Sequence, residues 1–273
     1  MRSWRCCSQA LCCAAALLLL SEQASCARER PEDPWLVAPR TQQRWAPVHV
    51  ALAEEAEAFS AAVALHAPAA PPIVLLGDSI VEILGGKGMG EVLRFREGLT
   101  PPQALAEIEA LAPKLALGIS GDRSGTVRWR LSDGELPAAL MGGIGTGGVR
   151  VIVHVGTNDI ALAAHLSRRR TGALPQNATE LGARVGLSVA ALATDVVDAS
   201  KAAGGKARVL LTALLPRRDM AHRKWPDGVS EALCAANDAM AAYASSTRGI
   251  DFADCGGELF TDRTFYCLLG CCI

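Results

Sequence analysis

Five short apolar segments follow one another along the chain and dominate its predicted secondary structure. They lie at residues 73–76, 115–119, 149–155, 207–215 and 249–252. Each is shorter than a typical helix and is bounded by residues that favour turns, a pattern typical of strands buried on both faces. Between them, residues 80–84, 178–203 and 229–245 have the composition of helices. A further helix is predicted at residues 51–65, before the first strand.

The alternation of strands and helices predicts how the strands are arranged. Parallel strands joined by helices form right-handed crossovers, so we expect an α/β fold in which a five-stranded parallel sheet carries helices on both faces. Residues 85–113 predict a loop and one helix. Residues 142–148 contain five glycines and predict a flexible connector, because a phosphate-binding loop would follow a strand and end in Lys-Ser or Lys-Thr.

The first 26 residues have the order of charged, apolar and small residues that is typical of a secretory signal peptide. Arg2 and Arg5 precede an apolar run at 10–20, and small residues follow at 24–26. The run is shorter than the ~20 residues that cross a bilayer, so no stable membrane span is expected. We predict a protein of the secretory pathway, with a linker and N-terminal helix at 27–72 and one domain at 73–273.

Composition and cysteine spacing exclude several classes of function. Half of the residues are hydrophobic and the formal net charge is −1, which suits a globular core and not a nucleic-acid partner. Five of the ten cysteines lie in the predicted leader and no paired CxxC motifs occur, so no metal site is expected. Cys234 and Cys255 are candidates for a disulfide in an oxidising compartment.

Polar clusters end the first three predicted strands. They are Gly77-Asp78-Ser79, Gly118-Ile119-Ser120-Gly121-Asp122 and Gly156-Thr157-Asn158-Asp159. The carboxyl ends of parallel strands share one edge of the sheet, so these clusters are expected to meet there. Ser79, at a strand-to-helix turn, suits a nucleophile, although an ordinary helix N-cap also favours serine. We expect Asp78 to hold the turn and Asp159 to have a structural, capping role.

In this order, the three clusters resemble the first conserved blocks of the SGNH (GDSL) hydrolase superfamily. The Trp-Arg-Leu-x-x-Gly-Glu-Leu stretch at 129–136 resembles the catalytic subunits of the intracellular platelet-activating-factor acetylhydrolase, as do Leu214-Leu215-Pro216-Arg217 and Asn237. The resemblance runs from about residue 73 to 260. It implies a flavodoxin-like, three-layer αβα sandwich.

The resemblance also implies a serine ester hydrolase that uses no metal or organic cofactor. Ser79 would be the nucleophile. Its own amide, the amide of Gly121 and the side-chain amide of Asn158 would form the oxyanion hole. The implied substrate is a small carbohydrate or lipid that carries a short acyl ester, in particular acetyl. A homodimer is compatible with the resemblance.

The fourth block of this superfamily, Asp-x-x-His near the C-terminus, supplies the base. No histidine follows the fifth predicted strand, and the one Asp-x-x-His in the sequence, at residues 219–222, comes before that strand. The five histidines have other predicted places. His49 and His66 precede the predicted sheet, His154 is expected in the core, His165 is expected at the surface, and His222 alone lies in a loop within reach of the site.

The missing block leaves alternative interpretations open. The first is an esterase domain that is incomplete at its C-terminus. The second is a secreted pseudoenzyme or binding protein on the same scaffold. A nucleotide-binding flavodoxin-like domain is a third, which the acidic Asp78 and the lack of lysine in the first cluster disfavour.

Overall fold

Five parallel strands form the main sheet of the computed structural model, which describes residues 36–66, 68, 70–92, 113–143, 148–171, 177–216 and 228–254. The strands of this sheet are β1 (Ile73–Gly77), β4 (Lys114–Gly118), β5 (Val149–His154), β6 (Ala207–Thr212) and β7 (Ile250–Ala253). Between β1 and β4 in the chain, β2 (Lys87–Gly88) and β3 (Glu91–Val92) form a separate antiparallel hairpin. All five predicted strands are confirmed, with boundaries that differ by at most three residues.

Seven α-helices are present in the described residues. They are α1 (Trp45–His66), α2 (Ser79–Leu84), α3 (Ser124–Arg130), α4 (Ala138–Met141), α5 (Thr157–Thr171), α6 (Ala178–Ala202) and α7 (Gly228–Ser246). A kinked turn, Leu131–Glu135, follows α3, and its Gly134 has φ +104°. Helix α1 begins six residues before its predicted start. Its first turn contains Pro47, where the missing N–H removes no helical hydrogen bond.

The strand order places the three polar clusters side by side. The main sheet has the order β4-β1-β5-β6-β7, and all its neighbouring strands are parallel. Gly77, the last residue of β1, pairs with Gly118 of β4 on one side and with His154 of β5 on the other. Three adjacent strands therefore end at the same level, and each leads directly into one cluster. The predicted α/β fold is confirmed.

The two faces of the sheet are covered by different helices. On one face of the sheet, four side chains are fully buried: Leu76, Leu117, Val153 and Leu211. They belong to one core cluster with buried residues of α6 and α7. On the opposite face α2 packs directly onto β4, because Gly118 has no side chain. A Cβ at Gly118 would lie 2.3 Å from the backbone nitrogen of Glu82. Helices on both faces make a three-layer arrangement, as predicted.

The predicted targeting segment and part of the predicted disulfide fall outside this description. Residues 1–26 and Cys255 are not among the described residues. Cys234 is disulfide-bonded, and its pairing with Cys255 stays a prediction. Within the described part of the chain, no helix is both long and apolar enough to cross a membrane.

Candidate active site

Ser79 stands at the turn between β1 and α2, and its neighbour Asp78 caps the helix. The Asp78 carboxylate accepts a hydrogen bond from the amide of Ile80 at 3.0 Å. Asp78 is fully buried, which confirms that it holds the turn. Because Asp78 occupies the N-cap position, capping does not explain the serine that follows it.

Asn158 ties the three clusters together. Its side-chain Nδ2 donates to the backbone oxygen of Asp122 at 2.9 Å and to Oδ2 of Asp78 at 3.2 Å. Asp122 follows Gly121 in the chain, and Asp78 precedes Ser79. One amide group therefore bridges the loops that carry the other two predicted site residues. The structure brings Ser79, Gly121 and Asn158 to one edge of the sheet, as the sequence predicted.

The loop after β4 is a tight turn held by a buried carboxylate. The amide of Asp122 donates to the carbonyl of Ile119 at 3.1 Å. Gly121 has φ +82°, a conformation that glycine adopts without strain. Glu82 of α2 accepts hydrogen bonds from the amide of Ser120, at 2.8 Å, and from its hydroxyl. The helix that begins at the candidate nucleophile is thus linked to the oxyanion loop, which we define as residues 119–122.

Arg130 lies beneath this edge with its guanidinium fully buried. Nε and Nη2 donate to the Glu135 carboxylate at 2.7 and 2.6 Å, and Nη1 donates to Asp122 at 2.7 Å. The remaining bonds reach the carbonyls of Leu117, at 2.9 Å, and Gly77, at 3.3 Å. All five N–H donors of the side chain have acceptors. Arg130 therefore joins the ends of β1 and β4 to the oxyanion loop.

Asp122 is the anion around which the loop is organised. Besides Arg130, its carboxylate accepts hydrogen bonds from Trp45 Nε1, at 2.8 Å, and from Arg40 Nη1, at 3.3 Å. Burial raises the pKa of Asp122 above its usual range, although the two arginines and Trp45 oppose this. Trp45 begins α1 and Arg40 precedes it, so residues ahead of the first strand contribute to the site.

His49 precedes the sheet, as the sequence predicts, but it belongs to the buried core. His49 is buried, with Nδ1 2.7 Å from Glu135 and Nε2 2.9 Å from Asp133, and its ring stacks on Trp45 with 5.3 Å between centroids. The hydrogen bond with Glu135 is the main cause that raises the pKa of His49, against the effect of burial. The sequence pattern missed this because α1 buries the ring against a segment some 85 residues away, a contact with no local signature.

Asp159 has the structural role expected of it, but it caps a different helix. Its two carboxylate oxygens accept the hydroxyl of Ser124, at 2.6 Å, and the Ser124 amide, at 3.0 Å, at the start of α3. The Ser124 hydroxyl also lies 2.8 Å from that of Ser188. Burial raises the pKa of Asp159 from 3.8 to about 6. The carboxyl thus holds its proton more tightly in the folded state than in the unfolded state.

Substitution Asp159→Asn is expected to make the free energy of unfolding less dependent on pH. A raised folded-state pKa gives stability that is fully present below pH ~3.8 and is lost as the pH rises through ~6. The substituted side chain does not titrate, and its amide can still form a hydrogen bond with Ser124. Between pH ~4.5 and ~7.5 the free energy of unfolding of the variant should therefore rise by about 2 kcal/mol relative to that of wild type. Urea unfolding at these two pH values measures the difference.

The matched control for this measurement is Asp195→Asn. Asp195, an exposed residue of α6, pairs with Arg128 of α3, and the loss of this pair should change the free energy of unfolding by less than ~1 kcal/mol at either pH. Equal pH dependence in wild type and Asp159→Asn would contradict the raised pKa.

Three other histidines, His66, His154 and His165, lie among the described residues. His154 ends β5, where its Nδ1 lies 2.8 Å from the hydroxyl of Thr212, and burial lowers its pKa. Among the described residues its Nε2 has no hydrogen-bond partner. His165 is exposed on α5, as predicted, and His222 lies outside the described residues. The described ranges hold no group of three or more His, Cys, Asp or Glu side chains placed to bind a metal ion.

Comparison with known proteins shows the family to which the chain belongs. The parallel α/β sheet, together with the family match given next, places the chain in the class of SGNH (GDSL) hydrolases. The model of the GDSL-like lipase/acylhydrolase family matches residues 75–267. The chain therefore belongs to this family of ester hydrolases. No significant match was found among curated protein sequences.

Several solved structures are similar to the chain at low sequence identity. A protein from Streptococcus pneumonia named for platelet activating factor is 17% identical, with a TM-score of 0.44, and the match covers 78% of this chain and 79% of that one. The lipase Lip_vut3 from a goat rumen metagenome is 13% identical, with a TM-score of 0.47 and coverage of 71% and 84%. The hydrolase LAE5 from the metagenome of Lake Arreo, Spain, is 15% identical, with a TM-score of 0.40 and coverage of 74% and 97%.

Four residues that shape the site were not singled out from the sequence: Arg40, Trp45, Glu82 and Arg130. Arg130 lies in the Trp-Arg-Leu stretch that carried the resemblance, so its type and place were visible although its role was not. Arg40 and Trp45 lie in a Pro-containing segment that reads as a linker. Their contacts with Asp122 span about 80 residues, so only the tertiary structure shows them.

Proposed function

We propose that the protein hydrolyses a short acyl ester through an acyl-enzyme formed on Ser79. The observation that carries this proposal is the position of the Asn158 amide, bonded both to the residue before Ser79 and to the residue after Gly121. A hydroxyl nucleophile and two loop-borne amide donors then share one edge of the sheet, and ester hydrolysis needs this combination.

The proposed reaction has two steps. Ser79 Oγ attacks the acyl carbon while its proton passes to a base, and the carbonyl oxygen becomes an oxyanion. The amides of Ser79 and Gly121 and the Nδ2 of Asn158 stabilise that charge. The ester C–O bond then breaks, the base gives its proton to the oxygen of the leaving alcohol, and the acyl group stays on Ser79. Water then attacks the acyl-enzyme while the base takes a proton from it. The bond between the acyl group and Ser79 breaks to release the acid, and the base returns the proton to Ser79 Oγ.

The hydrogen bonds of Asn158 suggest how it would serve the oxyanion. Its two Nδ2 hydrogens are donated to Asp122 and to Asp78 in the structure. The bond to Asp78 is the longer, at 3.2 Å against 2.9 Å. We expect the oxyanion to take the hydrogen that Asp78 accepts, while the bond to the Asp122 carbonyl holds the amide in place.

The substrate and location of the reaction are part of the same proposal. The acyl group is acetyl and the alcohol is a carbohydrate or a lipid, on the strength of the resemblance to acetylhydrolases. The order of residues in the first 26 positions supports action in the secretory pathway or outside the cell. Serine chemistry of this kind requires no metal or organic cofactor and no nucleic-acid partner.

A binding protein on the same scaffold is the second candidate. It is favoured by the sequence, which has no Asp-x-x-His block after its last strand, and by His49, whose two nitrogens are engaged by carboxylates. A serine triad without its base loses several orders of magnitude in rate. The amide donors of the site would still bind an acyl group in such a protein.

Covalent trapping distinguishes the two candidates. We expect a fluorophosphonate probe to add once per chain, with loss of fluoride, and peptide mapping by mass spectrometry should place it on Ser79. The Ser79→Ala variant should melt at a similar temperature and take up no probe. Folded wild-type protein that neither reacts with the probe nor hydrolyses p-nitrophenyl acetate would contradict the esterase proposal and support the binding protein.

A further inference from the structure

Arg40 contacts the oxyanion loop from a part of the chain that the family model does not match. The match begins at residue 75, whereas Arg40 precedes helix α1. Its Nη1 donates to the carbonyl oxygen of Ser120 at 2.7 Å and to Oδ1 of Asp122 at 3.3 Å. The Arg40 side chain is only 15% exposed. Ser120 and Asp122 are the two neighbours of Gly121 in the chain, so the guanidinium is bonded on both sides of the predicted oxyanion donor.

The bond to Ser120 has a direct consequence for the amide of Gly121. The Ser120 carbonyl and the Gly121 N–H belong to the same peptide unit, which is planar and trans, so they point in opposite directions. Fixing the oxygen on Arg40 therefore fixes the direction of the N–H on the far side. A cation on the carbonyl also polarises the peptide, which strengthens its N–H as a donor.

Two further contacts prevent the peptide from turning. The preceding amide, that of Ser120, is held by Glu82 at 2.8 Å. On the side of Gly121 that a Cβ would occupy, the Arg40 guanidinium lies so close that this atom would be 2.9 Å from Nη1 and 3.1 Å from Nη2. Glycine at position 121 thus allows the arginine to approach the loop, and the arginine holds the loop in one orientation.

From this geometry we infer that Arg40 is a positioning residue, which sets the Ser120–Gly121 peptide so that the Gly121 amide faces the oxyanion. This inference rests on the proposed function for its chemistry. It assigns part of the active site to the segment before α1. Without Arg40 the Ser120 carbonyl loses its partner, and the peptide can rotate its N–H away from the substrate.

The test compares Arg40→Met with Arg40→Lys. For Arg40→Met we expect kcat for p-nitrophenyl acetate to fall about 10- to 100-fold with KM within about twofold, because the donor acts mainly in the transition state. Arg40→Lys keeps a cation that can reach the Ser120 carbonyl, so it should recover activity to within about fivefold of wild type. Arg44→Met is the matched control, since Arg44 is exposed in the same segment, and it should leave kcat unchanged.

A second readout does not depend on turnover. The amide resonance of Gly121, followed by NMR in 15N-labelled protein, should shift and exchange faster with solvent in Arg40→Met, and should be unchanged in Arg44→Met. Unchanged kcat and an unchanged Gly121 amide in folded Arg40→Met would overturn the inference. If wild type itself shows no hydrolysis and no labelling, the proposed function has failed, and the Gly121 amide alone then decides whether Arg40 orients the peptide.

Discussion

Replacing Ser79 with alanine is expected to lower kcat for p-nitrophenyl acetate by at least about 1,000-fold. Oγ is the only non-hydrogen atom that the substitution removes, and the acyl-enzyme has no other place to form in the proposed mechanism. The loss of stability should be small, because Asp78 and not Ser79 caps helix α2. The free energy of unfolding should therefore stay within about 0.5 kcal/mol of wild type, measured by urea denaturation of the same samples.

Ser120→Ala is the matched control for this prediction. Ser120 is the other serine of the three clusters, and its hydroxyl donates to Glu82. We expect kcat to change by less than about 10-fold, since loss of that bond loosens the oxyanion loop but removes no reacting atom. If Ser120→Ala abolished hydrolysis while Ser79→Ala retained it, the assignment of the nucleophile would be wrong.

Replacing Asn158 with alanine is expected to lower kcat by about 100- to 1,000-fold, the usual cost of one oxyanion donor. The variant also loses the bonds to Asp78 and to the Asp122 carbonyl, so it should be less stable by about 1–3 kcal/mol. Kinetics must therefore be measured at a temperature where circular dichroism shows the variant to be folded. Combined with Ser79→Ala, the substitution should cause little further loss, because the two residues act in one step.

Asn237→Ala separates the catalytic part of this effect from the structural part. Asn237 holds a neighbouring loop in the same way, with its side chain bonded to the amide of Leu214 at 2.8 Å and to the carbonyl of Leu214 at 3.2 Å. We expect a comparable loss of stability and a loss of kcat below about 10-fold. Equal losses of kcat in Asn158→Ala and Asn237→Ala would mean that Asn158 acts only by holding its loops.

Local sequence patterns were enough to predict most of the fold. The apolar runs that became β1, β4, β5, β6 and β7 are short and bounded by turn residues, so their type did not depend on distant partners. Helices α3, α4 and α5 escaped prediction because they are short or polar and lack a clear apolar period. The start of α1 was misplaced because Pro47, which reads as part of a linker, lies in the first turn of the helix.

By itself the sequence determined the parallel α/β fold, the family, and the three residues proposed for catalysis, since Ser79, Gly121 and Asn158 follow successive strands whose ends must share one edge. Only the tertiary structure decided what holds these residues in place. Arg40, Trp45 and His49 contact partners about 80 residues away in the chain. The buried carboxylate of Asp122 accepts hydrogen bonds from two separate segments, one before the first strand and one after β4. Such contacts depend on burial and on complementary charges that only the folded chain brings together, so the residues near each partner in the sequence do not predict them.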